Sequence, residues 1–201
     1  MKYTFLKDNN LPAFLGDDFE ISYSSMYANV LEFSKRVPKE RAHVAIYAEN
    51  SPEWVCALYG AWLKHSTVVP VDATLPVAET AFILSDSETD FLFASKANLE
   101  NAKAAVEKSG RAVEICVIEE VEKPLMNATL PNGWKIECDA EDLAFIVYTS
   151  GTTSNPKGVM LTFDNLQANI EAVSDEGYFH EKMRTLAMLP FQHILPLVGT
   201  V

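Results

Sequence analysis

Apolar positions along this chain keep two rhythms, and the alternation between them sets out its elements. Met26, Val30, Phe33 and Val37 recur at helical spacing, which predicts one amphipathic helix stopped by Pro38. His43 to Tyr47 (HVAIY) reads as a short strand. Ser51 can then cap a helix with Pro52 at its first position, running to about Lys64 with Trp54, Val55, Leu58, Ala61 and Trp62 as its inward stripe. Core packing is the favoured role for these tryptophans, over stacking on a cofactor.

The pattern repeats downstream. Thr67 to Asp72 is β-branched and apolar, Pro76 to Leu84 reads as helix, and Phe91 to Ala94 as strand. A helix over Asn98 to Lys108, ended by Gly110, leads into a strand over Val113 to Ile118. Between Glu119 and Asp142 the rhythm lapses into charges, Pro124, Pro131 and Gly133, which predicts a long surface connection with one short strand around Trp134 to Glu137. Leu143 to Tyr148 is the most apolar strand candidate; Val159 to Leu161 resumes an extended conformation, and Thr162 caps a helix over Phe163 to about Ala172. The fold class expected is α/β, a mainly parallel sheet flanked by helices. The chain divides into an N-terminal arm (1–18), an alternating region (19–118), the connection (119–141) and a final region (142–201).

A chain of 201 residues that is 48% hydrophobic can bury a sizeable core, and a formal charge of −12 argues against a nucleic-acid or anionic-membrane surface. No segment approaches the roughly 20 apolar residues of a spanning helix. Cys56, Cys116 and Cys138 are odd in number and widely spaced, as in a reduced cytoplasmic protein.

Between the last two strands lies the stretch with the most chemistry, YTSGTTSNPKGVMLT (Tyr148 to Thr162). Gly151 and Gly158 allow a sharp turn and close approach of the backbone. Thr149, Ser150, Thr152, Thr153 and Ser154 offer hydroxyls beside consecutive N–H groups, Asn155 and Pro156 close the loop, and Lys157 adds one positive charge. The composition predicts an anion clamp. It is not a Walker A loop, because Lys157 precedes its glycine and no Ser or Thr follows. An ordinary polar hairpin accounts for the Ser, Thr and Gly but not for their order with Pro-Lys-Gly.

This stretch resembles the phosphate-binding loop of the adenylate-forming (AMP-binding) enzymes, the acyl-CoA synthetases and their relatives. HVAIYAENSPEWVCALYGAWLK, VVPVDATLP and FILSDSETDFLFAS are similar to the family's first strands and helices in the same order, so the likeness runs from about Phe19 to the end. It implies attack of a carboxylate on ATP to give an acyl-adenylate, then capture by coenzyme A or a carrier thiol. It assigns Thr149 to Lys157 to the ATP phosphates, makes Lys157 and Thr152 the catalytic pair, and places the Thr152 hydroxyl nearest Mg2+. MLPFQHILPL (Met188 to Leu197) is similar to the family's Leu-Pro-x-x-His element, so His193 would line the acyl pocket. A histidine bonded within a turn is the alternative there, and His43, His65 and His180 are expected to be structural or exposed.

Ser154 and Ser66 stand where the family commonly has glycine, and Phe163 where histidine is frequent. The partner carboxylate for Mg2+, the ribose-binding aspartate and the C-terminal domain with its lysine are not matched, so the expectation is a truncated N-terminal portion that cannot complete adenylation alone. The leading expectation is an acyl-CoA ligase for medium- or long-chain fatty acids using ATP, Mg2+ and coenzyme A. A carrier-loading adenylation domain and a non-catalytic nucleotide-binding module are its rivals.

Overall fold

The computed structural model describes residues 1–7, 11–122, 133–149, 156–175 and 184–193. Three short strands, β1 (Lys2–Lys7), β2 (Pro12–Leu15) and β3 (Glu20–Ser22), precede helix α1 (Tyr23–Arg36). Strands β4 (His43–Tyr47), β5 (Thr67–Val71), β6 (Phe91–Ala94) and β7 (Glu114–Val117) then alternate with helices α2 (Pro52–Leu63), α3 (Val77–Asp86) and α4 (Leu99–Ser109). After β8 (Lys135–Asp139), strands β9 (Leu143–Thr149) and β10 (Lys157–Thr162) lead into α5 (Phe163–Asp175).

Six strands form one sheet in the order β10-β9-β5-β4-β6-β7, parallel except for the antiparallel β10. Because strand side chains alternate, Val44 and Ile46 pack with α1 and α2 on one face, while Ala45 and Tyr47 pack with α3 and α4 on the other. Thus α2, after β4, covers one face and α3, after β5, covers the opposite one. The carboxyl ends of β4 and β5 therefore flank a topological switch point, where sheets of this kind open a crevice for ligands.

The local signals form the elements they predict. Ser51 accepts from the Trp54 N–H at 3.1 Å with Pro52 in the first turn of α2, and Gly110 closes α4 at φ 69°. At the start of α5 the Thr162 hydroxyl accepts from the Asn165 N–H (3.2 Å), while the Asn165 carboxamide accepts from the Thr162 N–H (3.1 Å).

The structure departs from the sequence reading in three places. Helix α2 buries far more than a stripe: every residue from Trp54 to Trp62 is buried, because α1, the sheet and β8 enclose it. Gly60 makes this possible, since a Cβ there would lie 2.8 Å from Phe33 Cβ and 3.0 Å from the Ser34 nitrogen. Secondly, β8, the short strand expected in the surface connection, is not a surface feature: it pairs antiparallel with β1, and Trp134, Ile136 and Cys138 are buried. Trp134 stacks on Tyr27 of α1 at 4.1 Å, and Leu6 of β1 is buried in the same core, so the first strand is packed structure. Thirdly, β7 ends at Val117, and residues 118–120 form a 3₁₀ turn that sends the Glu119 carboxylate to the Lys96 N–H.

Both departures from the family pattern that fall on described residues have structural roles. The buried Ser66 hydroxyl accepts from the Ala42 N–H at 3.1 Å, and Phe163 packs between Trp62 (4.9 Å) and Phe5 (5.1 Å). His43 is tied to the Ser87 carbonyl by Nδ1 at 2.6 Å, a structural role as expected. Cys56, Cys116 and Cys138 form no disulfide, and among the described residues no helix is long and apolar enough to cross a membrane.

Candidate functional site

Strand β9 carries the chain to the carboxyl edge of the sheet, and β10 returns antiparallel with Lys157 directly opposite Thr149. Ser150, Gly151, Thr152, Thr153, Ser154 and Asn155 lie outside the described residues. What is described is the neck of the loop: Thr149, the half-buried Pro156, and Lys157. Directly opposed residues of a hairpin project from the same face, so the Thr149 hydroxyl and the Lys157 ammonium rise together. Both are exposed, and among the described residues Lys157 has no ion-pair partner. In a chain of charge −12, that cation at the mouth of a hydroxyl-rich loop is available to an anion.

One residue back, Tyr148 opposes Gly158 on the other face of the hairpin. A Cβ at position 158 would sit 3.0 Å from Ile146 Cγ2 and 3.2 Å from Tyr148 Cζ, so the bare glycine lets the tyrosine ring lie across the neck. The Tyr148 hydroxyl donates to Asp86 Oδ2 at 2.6 Å, tying the loop entrance to the last turn of α3. Burial, and then the Asp86 carboxylate, push the Tyr148 phenol well above its ordinary range, so it stays a donor at all physiological pH.

The second predicted site residue, His193, reaches the same edge by another route. Asp72 directly follows β5, the strand that runs parallel to β9 with Val68 paired to Phe145. Burial alone would raise the Asp72 carboxyl. Hydrogen bonds from the Thr74 hydroxyl and N–H and from the Gln192 side chain, with the positive charge of His193, hold it below its ordinary value. His193 is itself exposed, its N–H donating to the Pro190 carbonyl at 3.2 Å. Asn50, at the end of β4, donates from Nδ2 to the Leu189 carbonyl (2.8 Å) and accepts at Oδ1 from the Phe191 N–H (2.9 Å). Phe191 in turn packs on Trp54 at 5.3 Å.

The structure thus brings Thr149, Lys157 and His193 to the carboxyl edge of neighbouring strands. Asn50, Asp72 and Tyr148 are the residues that sequence reading did not assign to this site. For Tyr148 the glycine at its cross-strand position was a usable signal; for Asn50 none was available, because its partners lie 139 and 141 residues away, and Asp72, bonded by Thr74 two residues on, looks like an ordinary turn residue.

Among the described residues, the grouping of potential metal ligands is His65 with Asp139 and Asp142. These precede β5 and β9 at the amino edge, opposite the loop, and Asp142 is already engaged by Arg41 at 3.0 Å. No such grouping stands beside Thr149 and Lys157 among the described residues, so no step through Mg2+ is assigned to them.

Comparison with known proteins places this geometry in context. The sequence profile described as "AMP-binding enzyme" matches residues 4–201. Malonate–CoA ligase of Arabidopsis thaliana is 28% identical over 166 residues, covering 76% of this chain and 26% of that protein. Long-chain-fatty-acid–CoA ligase FadD13 of Mycobacterium tuberculosis is 29% identical over 161 residues, covering 79% of this chain and 32% of that protein. The chain therefore spans about a quarter to a third of the length of these relatives. Among solved structures, o-succinylbenzoate CoA synthetase from Bacillus subtilis, in complex with an acyl-adenylate intermediate, superposes with a TM-score of 0.79 at 23% identity. That match covers 95% of this chain and 49% of the other, and it supports the fold.

Proposed function

The chain belongs to the AMP-binding enzyme family, and from that premise we propose that the whole protein activates a carboxylic acid with ATP and passes the acyl group to a thiol, with this chain supplying the phosphate loop. The observation that carries the proposal is the pairing of exposed Thr149 and Lys157 at the neck of a Ser/Thr/Gly loop on the carboxyl edge, one strand from the switch point.

In the first step a substrate carboxylate oxygen bonds to the α-phosphorus, and the bond from that phosphorus to the pyrophosphate oxygen breaks. Negative charge grows on the departing pyrophosphate. The N–H and hydroxyl groups of Thr149 to Asn155 and the ammonium of Lys157 would receive that charge without reorganising solvent, and Pro156 limits the freedom of the loop beside the lysine. The Thr152 hydroxyl is the group we place nearest Mg2+, which supplies charge neutralisation on the phosphates when bound. His193 would face the reacting carboxylate from the side of β5. In the second step a thiolate attacks the acyl carbon and AMP leaves; coenzyme A is the acceptor we propose, and a carrier thiol the alternative.

For the acid, the apolar stretch around His193 and the fatty-acid relative support a medium- or long-chain fatty acid. The malonate relative matches about equally well, which makes malonate the competing substrate. We place the protein in a reducing, cytoplasmic setting, which its three cysteines without a disulfide support.

The test is acid-dependent exchange of pyrophosphate into ATP by the whole protein, with fatty acids of increasing length and malonate as parallel arms. Exchange with one acid class and not the other assigns the substrate. Exchange with no carboxylic acid, alongside intact ATP binding, would favour a non-catalytic nucleotide-binding module.

A further inference from the structure

We propose that Asn50 is a positioning residue, whose carboxamide clamps the backbone at Leu189 and Phe191 and thereby fixes where His193 stands over the ends of β4 and β5. An asparagine in a turn ordinarily bonds its own neighbouring backbone. Asn50 instead spends both ends of its carboxamide on a segment 139 and 141 residues further along the chain. The donor meets one residue and the acceptor the next but one, so the pair sets orientation as well as distance.

The structural duties of this turn belong to other residues. Ser51 caps α2, Pro52 opens it, and Asn50 itself is exposed and absent from the core. A neighbour completes the clamp: Trp54 packs on the Phe191 ring at 5.3 Å. Leu189 and Phe191 are therefore anchored beside the end of β4, at the switch point. A segment this short has no core of its own, and these contacts are what hold it against the turn that follows β4.

The consequence for chemistry rests on the proposed adenylation reading. If His193 faces the reacting carboxylate, loosening its segment misplaces the acid while leaving the phosphate loop, on another hairpin, untouched. Misplacement of a reacting group by about 1 Å can cost on the order of a hundredfold.

Two measurements on Asn50→Ala and Asn50→Asp test this. In the 201-residue chain, amide hydrogen exchange at Phe191 should accelerate about fivefold or more in Asn50→Ala, while the β9 amides of Phe145 and Val147 keep their rates. Asn50→Asp, which retains the acceptor for the Phe191 N–H, should protect that amide. In the whole protein, Asn50→Ala should raise the KM for the acid or lower kcat about tenfold or more, with the KM for ATP within about twofold; Asn50→Asp should lie between alanine and wild type. Unchanged Phe191 exchange in Asn50→Ala overturns the clamp. Faster exchange with wild-type acid kinetics overturns the positioning role. A wild-type protein without acid-dependent activity would retire the adenylation reading instead, and Phe191 exchange would still decide the clamp.

Discussion

Tyr148 and Gly158 show how much of this site depends on single atoms. With the glycine opposite it, the tyrosine ring lies across the hairpin and its hydroxyl reaches Asp86. A valine at position 158 must displace that ring, so Gly158→Val should break the Tyr148 to Asp86 bond and lower stability, whereas Tyr148→Phe removes the bond alone and should cost about 0.5–1.5 kcal/mol. Chemical denaturation of both variants checks the order; equal losses would mean that the ring was never constrained. Trp62 makes a parallel case in the core, where its indole N–H donates to the Ala144 carbonyl at 3.2 Å among Phe5, Phe145 and Phe163. Trp62→Phe leaves that carbonyl without its donor and should cost about 1–3 kcal/mol. At this scale the sequence was readable where one residue type has one physical use: Ser51 before Pro52 is a cap, and Gly110 after α4 is a stop. Asn50 and Asp72 looked like ordinary turn residues, since nothing local distinguishes a side chain that bonds its own turn from one that bonds a distant segment.

Elements were legible when their partners followed closely in the chain. Strands β4, β5, β6 and β9, with helices α2 and α4, are close to what periodicity and capping predict, because each βα unit carries its own apolar pattern. The β1 to β8 ladder was not legible, since Lys2 pairs with Asp139 and no local rhythm records so distant a pairing. That ladder covers Cys138, which is 1% exposed and whose thiol burial pushes up to about 12. Deleting residues 1–7 should therefore make Cys138 react rapidly with an aromatic disulfide; a thiol as slow as in the intact chain would show that β1 is dispensable.

The Asp72 carboxyl gives the folded chain a response to acid with a definite sign. The Asp72 carboxyl is held below its ordinary value of 3.8 in the folded chain, so its contribution is complete above that value and is lost as pH falls through the lower folded one. Asp90 behaves alike: burial would raise it, but Lys39 and the His43 N–H hold it low. Stability followed by urea midpoint should fall as pH drops below about 4, and Asp72→Asn should flatten part of that decline. An Asp72→Asn profile parallel to wild type would remove Asp72 from that response.

Over the whole molecule, the sheet concentrates its chemistry along one edge and its packing on two faces. The core is continuous from α1 and α2 through the sheet to α3 and α4, and the residues proposed to act stand outside it. Among the described residues β10 is the sheet's last strand, and it leaves Met160 at 66% and Val159 at 45% exposure. Such an edge invites pairing between chains, so Met160→Lys should reduce self-association of the 201-residue chain without shifting its melting temperature appreciably; sedimentation velocity checks it.

The separation of edge from core also makes the functional claim testable by a single exposed residue. Lys157 contributes nothing to the buried core, so any loss on its removal reports on the ligand and not on the fold. Acid-dependent ATP–pyrophosphate exchange in the whole protein, measured for wild type and Lys157→Ala with thermal stability in parallel, is the most direct test. Exchange should fall about a hundredfold at an unchanged melting temperature; exchange that survives the substitution would contradict the assignment of this loop to the ATP phosphates.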